Sequence, residues 1–350
     1  MKLLCLTALI LLCGCDPDRP APQNAKEIGA IRAPYTGERF FNPHIQDQEK
    51  TVFAFLLTKY FGDVPFADQA SQTDRIVVAP RLADLHQPTP YPRVTWLGHA
   101  SFLISYQNTN LLTDPIFSER ASPVSFAGPR RLAPLPYKVE QLPPIQHVLI
   151  SHNHYDHLDK HSILSLGTAP IYHVPLGLKD WFTEIGLPDA KVLEYDWWQQ
   201  QHISGIDFIA TPTQHWSARS LFDRRKTLWA GWRVNWQAFS LWFAGDTGYN
   251  PIDFVETANK LGSVDLALIP IGAYAPREFM RLYHVTPTEA LQIHQDIQAN
   301  LSIGMHWSTF QLSAEDLDEP ARLLEQARRS CPDTAPFITL AIGESRVIER

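Results

Sequence analysis

Nine residues, Ser151–Asp159, read SHNHYDHLD: three histidines and two aspartates directly behind the apolar run His147–Ile150 (HVLI). A strand that ends in such a cluster is a polar turn or the first half of a metal site, and the second alternative needs partners elsewhere in the chain. On an extended segment His152 and His154 point to the same side, because strand side chains alternate with a period of two. Asp156 and His157 follow in a turn, where they can face a second ion close by. Two imidazoles at one position and a carboxylate with an imidazole at the other suit zinc, which accepts both donor types.

The partners sit at predicted strand ends. Short β-prone runs begin at Arg93 with RVTWL, SFLISY and NLLTD, divided by Gly98 and the turn Gln107–Asn110. Further strands are predicted over His147–Ser151, Lys191–Tyr195, Ile206–Thr211, Leu228–Trp236, Phe239–Ala244, Val264–Pro270, Ser302–His306 and Phe337–Ile342. At or just past three of these ends stand His215 (ATPTQHWSARS), Asp246 (WFAGDTGYN) and His306 (IGMHWSTF), the strand termini where open sheets gather functional groups. Helices are predicted over Gln48–Phe61, Pro287–Ala299 and Ala314–Ser330. The second opens on a cap, a first-turn proline and a capping-box acid (Thr286, Pro287, Glu289) and turns Ala290, Ile293, His294 and Ile297 inward. Many central strands with helices between them point to a two-sheet α/β sandwich in one domain.

A chain of 350 residues, 45% hydrophobic, can bury a sizeable core, and its net charge of −7 offers no basic footprint for nucleic acid. The N-terminus MKLLCLTALILLCGC combines Lys2 with an apolar stretch, Leu3–Leu12, too short to span a bilayer; it is a targeting segment kept out of the fold. Its LCGC ending resembles the lipobox of bacterial lipoproteins. That resemblance implies removal of residues 1–14, acylation of Cys15 and a lipid anchor in the bacterial cell envelope. Asp16 at the next position resembles the signal that keeps some lipoproteins at the inner membrane, which implies its periplasmic face. Cleavage would leave Cys331 as the one free thiol, which excludes a disulfide framework and reads as a small buried residue at a helix end.

The pattern from Arg93 to Ile342 resembles the metallo-β-lactamase superfamily, whose fold is a four-layer αββα sandwich with metals at the sheet edges. The resemblance implies two Zn2+ per chain. His152, His154 and His215 would hold one ion, Asp156, His157 and His306 the other, and Asp246 would bridge both. Residues 15–92 are then a tether and N-terminal arm, and 93–350 the hydrolase domain. VTWLGHASFLI, LLTDPIFSERASPVSFAGPRRLAP, PTQHWSARS, LWFAGDTGY, IPIGAYAPREFM and HVTPTEALQIHQDI look like N-acyl-phosphatidylethanolamine-hydrolysing phospholipase D and its bacterial relatives. That family implies hydrolysis of a phospholipid phosphodiester to phosphatidic acid and an N-acylethanolamine, with a metal-bridging hydroxide as nucleophile. The lipobox, the N-terminal arm and Tyr283 before His284 depart from the mammalian enzyme.

Outside the ligands, Asp114 is expected to accept a hydrogen bond from a zinc-bound histidine, while His99 reads equally as a residue behind the ligands or as a packed structural histidine. His284, just before the capped helix, is expected to contact substrate phosphate or the metal-bound water; with Asp156 it completes the catalytic set. His294 reads as a core histidine, and most of the ten tryptophans as core. The expected partners are a phospholipid and a membrane reached through the anchor, and a homodimer stays open. The competing readings are a related hydrolase acting on a lactone, phosphonate or cyclic phosphodiester, and a non-catalytic metal-binding envelope lipoprotein. Purely structural zinc is usually closed by four ligands, which argues against the latter.

Overall fold

The computed structural model describes residues 32–47, 52–66 and 68–349. The leader, Cys15 and Asp16 lie outside the described residues. The described strands form two seven-stranded sheets. The first six are β1 (Arg93–Gly98), β2 (Ser101–Tyr106), β3 (Thr109–Thr113), β4 (His147–Leu149), β5 (Ile171–Pro175) and β6 (Lys191–Tyr195). The next seven, β7 (Gln200–Ile203), β8 (Ile206–Thr211), β9 (Gly231–Trp236), β10 (Phe239–Phe243), β11 (Leu266–Pro270), β12 (Ser302–Met305) and β13 (Phe337–Ile338), build the second sheet. The last, β14 (Ser345–Val347), returns to the first sheet beside β1. Each sheet is antiparallel in one half and parallel in the other, with the parallel runs β3-β4-β5-β6 and β10-β11-β12-β13.

Side-chain alternation builds the layers. In β2, Phe102 and Ile104 join the core between the sheets while Leu103 faces the outer cluster. In β4, Leu149 faces inward and Val148 outward. The inter-sheet core takes Trp96, Leu111, Phe208, Trp232, Val234, Leu241, Phe243 and Leu268. Ile163 and Phe182, from helices Lys160–Leu166 and Lys179–Glu184, cover the outer face of the first sheet. The helix Pro287–Asp296 packs on β11 of the second sheet and touches the helices Asp253–Leu261 and Glu319–Arg329. The result is the expected four-layer αββα sandwich in a single domain.

Several boundaries differ from expectation. The N-terminal helix spans Val52–Phe61, its expected start lying outside the described residues. The helix after Thr286 ends at Asp296, and the capping box is present as read. The last helix starts at Glu319 because Pro320 sits in its first turn and the Glu315 side chain turns away to accept from the backbone N–H groups of Ala273 and Ala275. Leu228–Ala230 stays outside β9: Leu228 N donates to Leu176 O and Ala230 N to Ser151 O, bonds that lace the two sheets together. Arg233 of β9 is buried and donates to Asn235 Oδ1 and Ser263 O. Cys331 is exposed rather than buried, because it lies past the helix end in a turn. Trp96, Trp229, Trp232 and Trp242 are fully buried, and His294 is a core histidine bonded to Ser302 Oγ at 2.7 Å.

Candidate metal centre

The two sheets deliver their polar residues to one edge. β1 is antiparallel to β2 and β2 to β3, so β1 runs with β3 and β4 and their C-terminal ends share a side. His99 follows β1, Asp114 follows β3, and Ser151–His157 follow β4. In the second sheet β8, β10, β11 and β12 are likewise co-directional, which places His215, Asp246 and His306 together. A hydrogen bond from His306 N to His99 O joins the two sets. His99, Asp114 and His306 all adopt positive φ (54°, 31° and 65°), a conformation that costs non-glycine residues on the order of 1–3 kcal/mol each and clusters at functional sites.

Two groups of donors face a common centre. Nε2 of His152 and Nε2 of His215 lie 2.8 and 3.3 Å from Nδ1 of His154. Opposite them, Asp156 Oδ2 lies 3.3 Å from His157 Nε2 and 3.5 Å from His306 Nε2. Asp246 spans the groups: Oδ2 lies 3.2 Å from His157 Nε2 and 3.7 Å from His215 Nε2, and Oδ1 lies 3.1 Å from His306 Nε2. All seven residues expected from sequence are brought together. His99 is closer than expected, its Nε2 2.9 Å from Asp156 Oδ2 and within ligand range of His157 and His306. His284 stands at the rim, partly exposed, with Nδ1 3.9 Å from Asp246 Oδ2.

The outer ring nitrogens are fixed in turn. His157 Nδ1 lies 2.6 Å from Asp114 Oδ2, and His215 Nδ1 donates to Tyr283 O at 3.0 Å. His152 Nδ1 lies 2.8 Å from Ser151 Oγ, which donates to the same Asp114 Oδ2 at 2.5 Å. One carboxylate thus orients a histidine of each group, the arrangement that sets tautomer and ring pose in metal sites. Gly245 makes room for it, since a Cβ there would lie 2.5 Å from Cβ of Ser151. Ser151 was not singled out from sequence, because a serine before a histidine cluster carries no signal of its own. Arg219 was missed for the same reason. Its Nη1 donates to Asn153 O and Leu158 O at 2.8 and 2.7 Å, stapling both ends of the ligand turn.

Electrostatics separate the groups. Burial pushes His154 down to about 3 and His152 and His215 well below the usual imidazole range, so all three stay neutral and offer lone pairs. Burial alone would raise Asp246 and Asp156, but His157 and its neighbours hold both carboxyls well below their usual range. Against the pull of burial, the carboxylates hold His157 well above its usual value and His306 at about 9. His154 Nε2, His157 Nε2, His284 Nδ1, both ring nitrogens of His306 and Asp246 Oδ1 are buried without hydrogen-bond partners. Unsatisfied buried groups are costly. Imidazoles and ionised carboxylates, short of partners and converging on one point, fit metal cations of the zinc type, whose binding would displace the protons that the carboxylates hold on His157 and His306.

A family described as the beta-lactamase superfamily domain matches residues 109–307, and the chain belongs to the metallo-β-lactamase superfamily. The chain is 39% identical over 264 residues to N-acyl-phosphatidylethanolamine-hydrolyzing phospholipase D 1 of Caenorhabditis elegans, covering 71% of this chain and 74% of that protein. To the mitochondrial N-acyl-phosphatidylethanolamine-hydrolyzing phospholipase D of Saccharomyces cerevisiae it is 32% identical over 333 residues, covering 82% and 70%. Among solved structures, Igni18, a metallo hydrolase of Ignicoccus hospitalis, shares the fold with a TM-score of 0.56 at 19% identity, over 74% of this chain and 99% of that one. The chain is accordingly a metal-dependent hydrolase.

Proposed function

We propose that this hydrolase uses two zinc ions to cleave the phosphodiester of N-acyl-phosphatidylethanolamine, releasing phosphatidic acid and an N-acylethanolamine. The observation that carries the two-ion reading is Asp246, with one oxygen toward His306 and the other toward His157 and His215. The choice of substrate is supported by the two phospholipase D relatives. His152, His154 and His215 would hold one ion, Asp156, His157 and His306 the other. When bound, a pair of cations lowers the pKa of water and offsets charge on phosphate oxygens. The chain's own part is to hold the donors in place through Asp114, Ser151 and Tyr283, and to present His284 at the rim. There His284 can contact the phosphate or the leaving oxygen.

The test is hydrolysis of an N-acyl-phosphatidylethanolamine in heavy-oxygen water with zinc-loaded protein. Attack at phosphorus places the label in phosphatidic acid and leaves the N-acylethanolamine unlabelled. Label in a released fatty acid, with a lysophospholipid as co-product, would make the protein an esterase and end this reading.

We further propose that Cys15 carries a lipid anchor in the cell envelope, supported by the LCGC ending and the short apolar leader. No helix among the described residues is long and apolar enough to cross a membrane. Cys15→Ala should leave an unprocessed precursor that takes up no palmitate; palmitate labelling that persists in this variant would remove the assignment.

A further inference from the structure

The N-terminal arm reaches the metal centre. Ala33 and Phe40 are buried in the inter-sheet core, with Ala33 N donating to Asp196 Oδ1 and Phe40 N to Arg225 O. Beyond them the arm crosses the segment that carries His215. Asn42, 3% exposed, donates from Nδ2 to His215 O at 2.8 Å and to Asp47 Oδ1 at 2.6 Å. Tyr283 OH donates to the same Oδ1 at 3.0 Å, while the Tyr283 carbonyl accepts from His215 Nδ1 at 3.0 Å. Oδ2 of Asp47 accepts from Asn42 N at 3.1 Å and from Arg225 Nη1 at 2.6 Å.

These bonds close a ring: Asp47 to Asn42, Asn42 to the His215 backbone, the His215 ring to Tyr283, and Tyr283 back to Asp47. We propose that Asp47 is a positioning residue which, through Asn42 and Tyr283, holds His215 in its ligating pose, so that the N-terminal arm is part of the metal centre. A carboxylate is needed at this hub because four donors from three chain segments converge on it, and only an acceptor-only side chain takes them all. Burial, followed by Asp47, pushes the Tyr283 hydroxyl up to about 12, which keeps it a donor. An amide at position 47 would turn an N–H toward Arg225 or Tyr283 and open the ring.

The inference rests on reading these side chains as a metal centre, and the experiment separates the two. Zinc is titrated into metal-free full-length protein, wild type, Asp47→Asn and Tyr283→Phe, and melting of the metal-free forms is recorded alongside. Wild type should take up two ions. Asp47→Asn should keep one step unchanged and weaken the other by about tenfold or more, the size expected when the support of a ligand is lost. Tyr283→Phe, which keeps the carbonyl but loses the hydroxyl, should weaken the same step less. Two unchanged steps in both variants would overturn the inference and leave the metal reading standing. So would a loss of both steps that tracks a lowered melting temperature of the metal-free fold, since it would make Asp47 merely structural. Failure of wild type to bind zinc would overturn the metal reading and this inference with it.

Discussion

Asp114 Oδ2 lies 2.6 Å from Nδ1 of His157, a contact between two side chains with no exposed surface. Asp114 also takes the backbone N–H and hydroxyl of Ser151. Burial pushes this carboxyl up, and the three bonds it accepts work against that. His157 therefore has its Nδ1 committed and only Nε2 free for the centre, and His152 is held one step further out through Ser151.

The two histidines can be separated by mutation. Ser151→Ala removes the support of His152 alone and should weaken one zinc step while sparing the other. Asp114→Asn should weaken both, each by about 10–100-fold, because its amide meets Nδ1–H of His157 with a donor on one rotamer and loses Ser151 on the other. Zinc titration of the two variants checks this; equal losses at both steps in Ser151→Ala would show that the hydroxyl does not act through His152.

How much of this was legible in the sequence follows from the range of the signals. HxHxDH and the strand-end His215, Asp246 and His306 were readable because strand alternation and chemistry coincide at them. Strands Ile171–Pro175 and Gln200–Ile203 were missed: the first is a short run with a central histidine and a terminal proline, and the second is a half-exposed edge of glutamines. His173 makes the point sharply, for it is a core residue stacked 3.9 Å from Phe208 and bonded to His147 and Tyr195. Asn42, Asp47, Ser151 and Arg219 were invisible because each acts on a residue distant in sequence or through backbone carbonyls. Nothing local marks such a contact.

Asp246→Asn tests the bridge. The substitution keeps the shape but removes the charge that faces His157, His215 and His306. Both ions should bind more weakly, and turnover should fall with them. Elemental analysis after gel filtration reads the outcome; two zincs per chain with full activity would show that Asp246 is not shared.

Metal removal should destabilise the fold. Without cations, buried groups such as His154 Nε2 and Asp246 Oδ1 have no hydrogen-bond partner. Binding confined to the folded state adds about 4.1 kcal/mol per ion at a thousandfold excess over Kd. Chelation should therefore lower Tm by several degrees, and added zinc should restore it. An identical Tm with and without chelator would mean that the centre binds no ion in the folded state.

His284 separates chemistry from binding. Its ring lies 5.3 Å from that of His215 and 5.6 Å from that of His306, and its side chain is partly open to solvent. Burial pushes it down to about 4, so at neutral pH it is an uncharged imidazole with one N–H to offer. Arg277 fixes the backbone behind it, donating to His284 O at 2.6 Å while its other nitrogen grips Glu289 of the capping box. A group so held, outside both sets of donors and facing the opening, is placed to touch what enters rather than to hold what is bound. His284→Ala should then leave zinc content and Tm as in wild type while turnover falls by about 10²–10⁴-fold, the range for a positioned proton donor or acceptor. His284→Gln, which keeps an N–H near the same place, should recover part of the loss. Zinc lost from His284→Ala in step with activity would make His284 a ligand instead, completing the set that already contains His215 and Asp246.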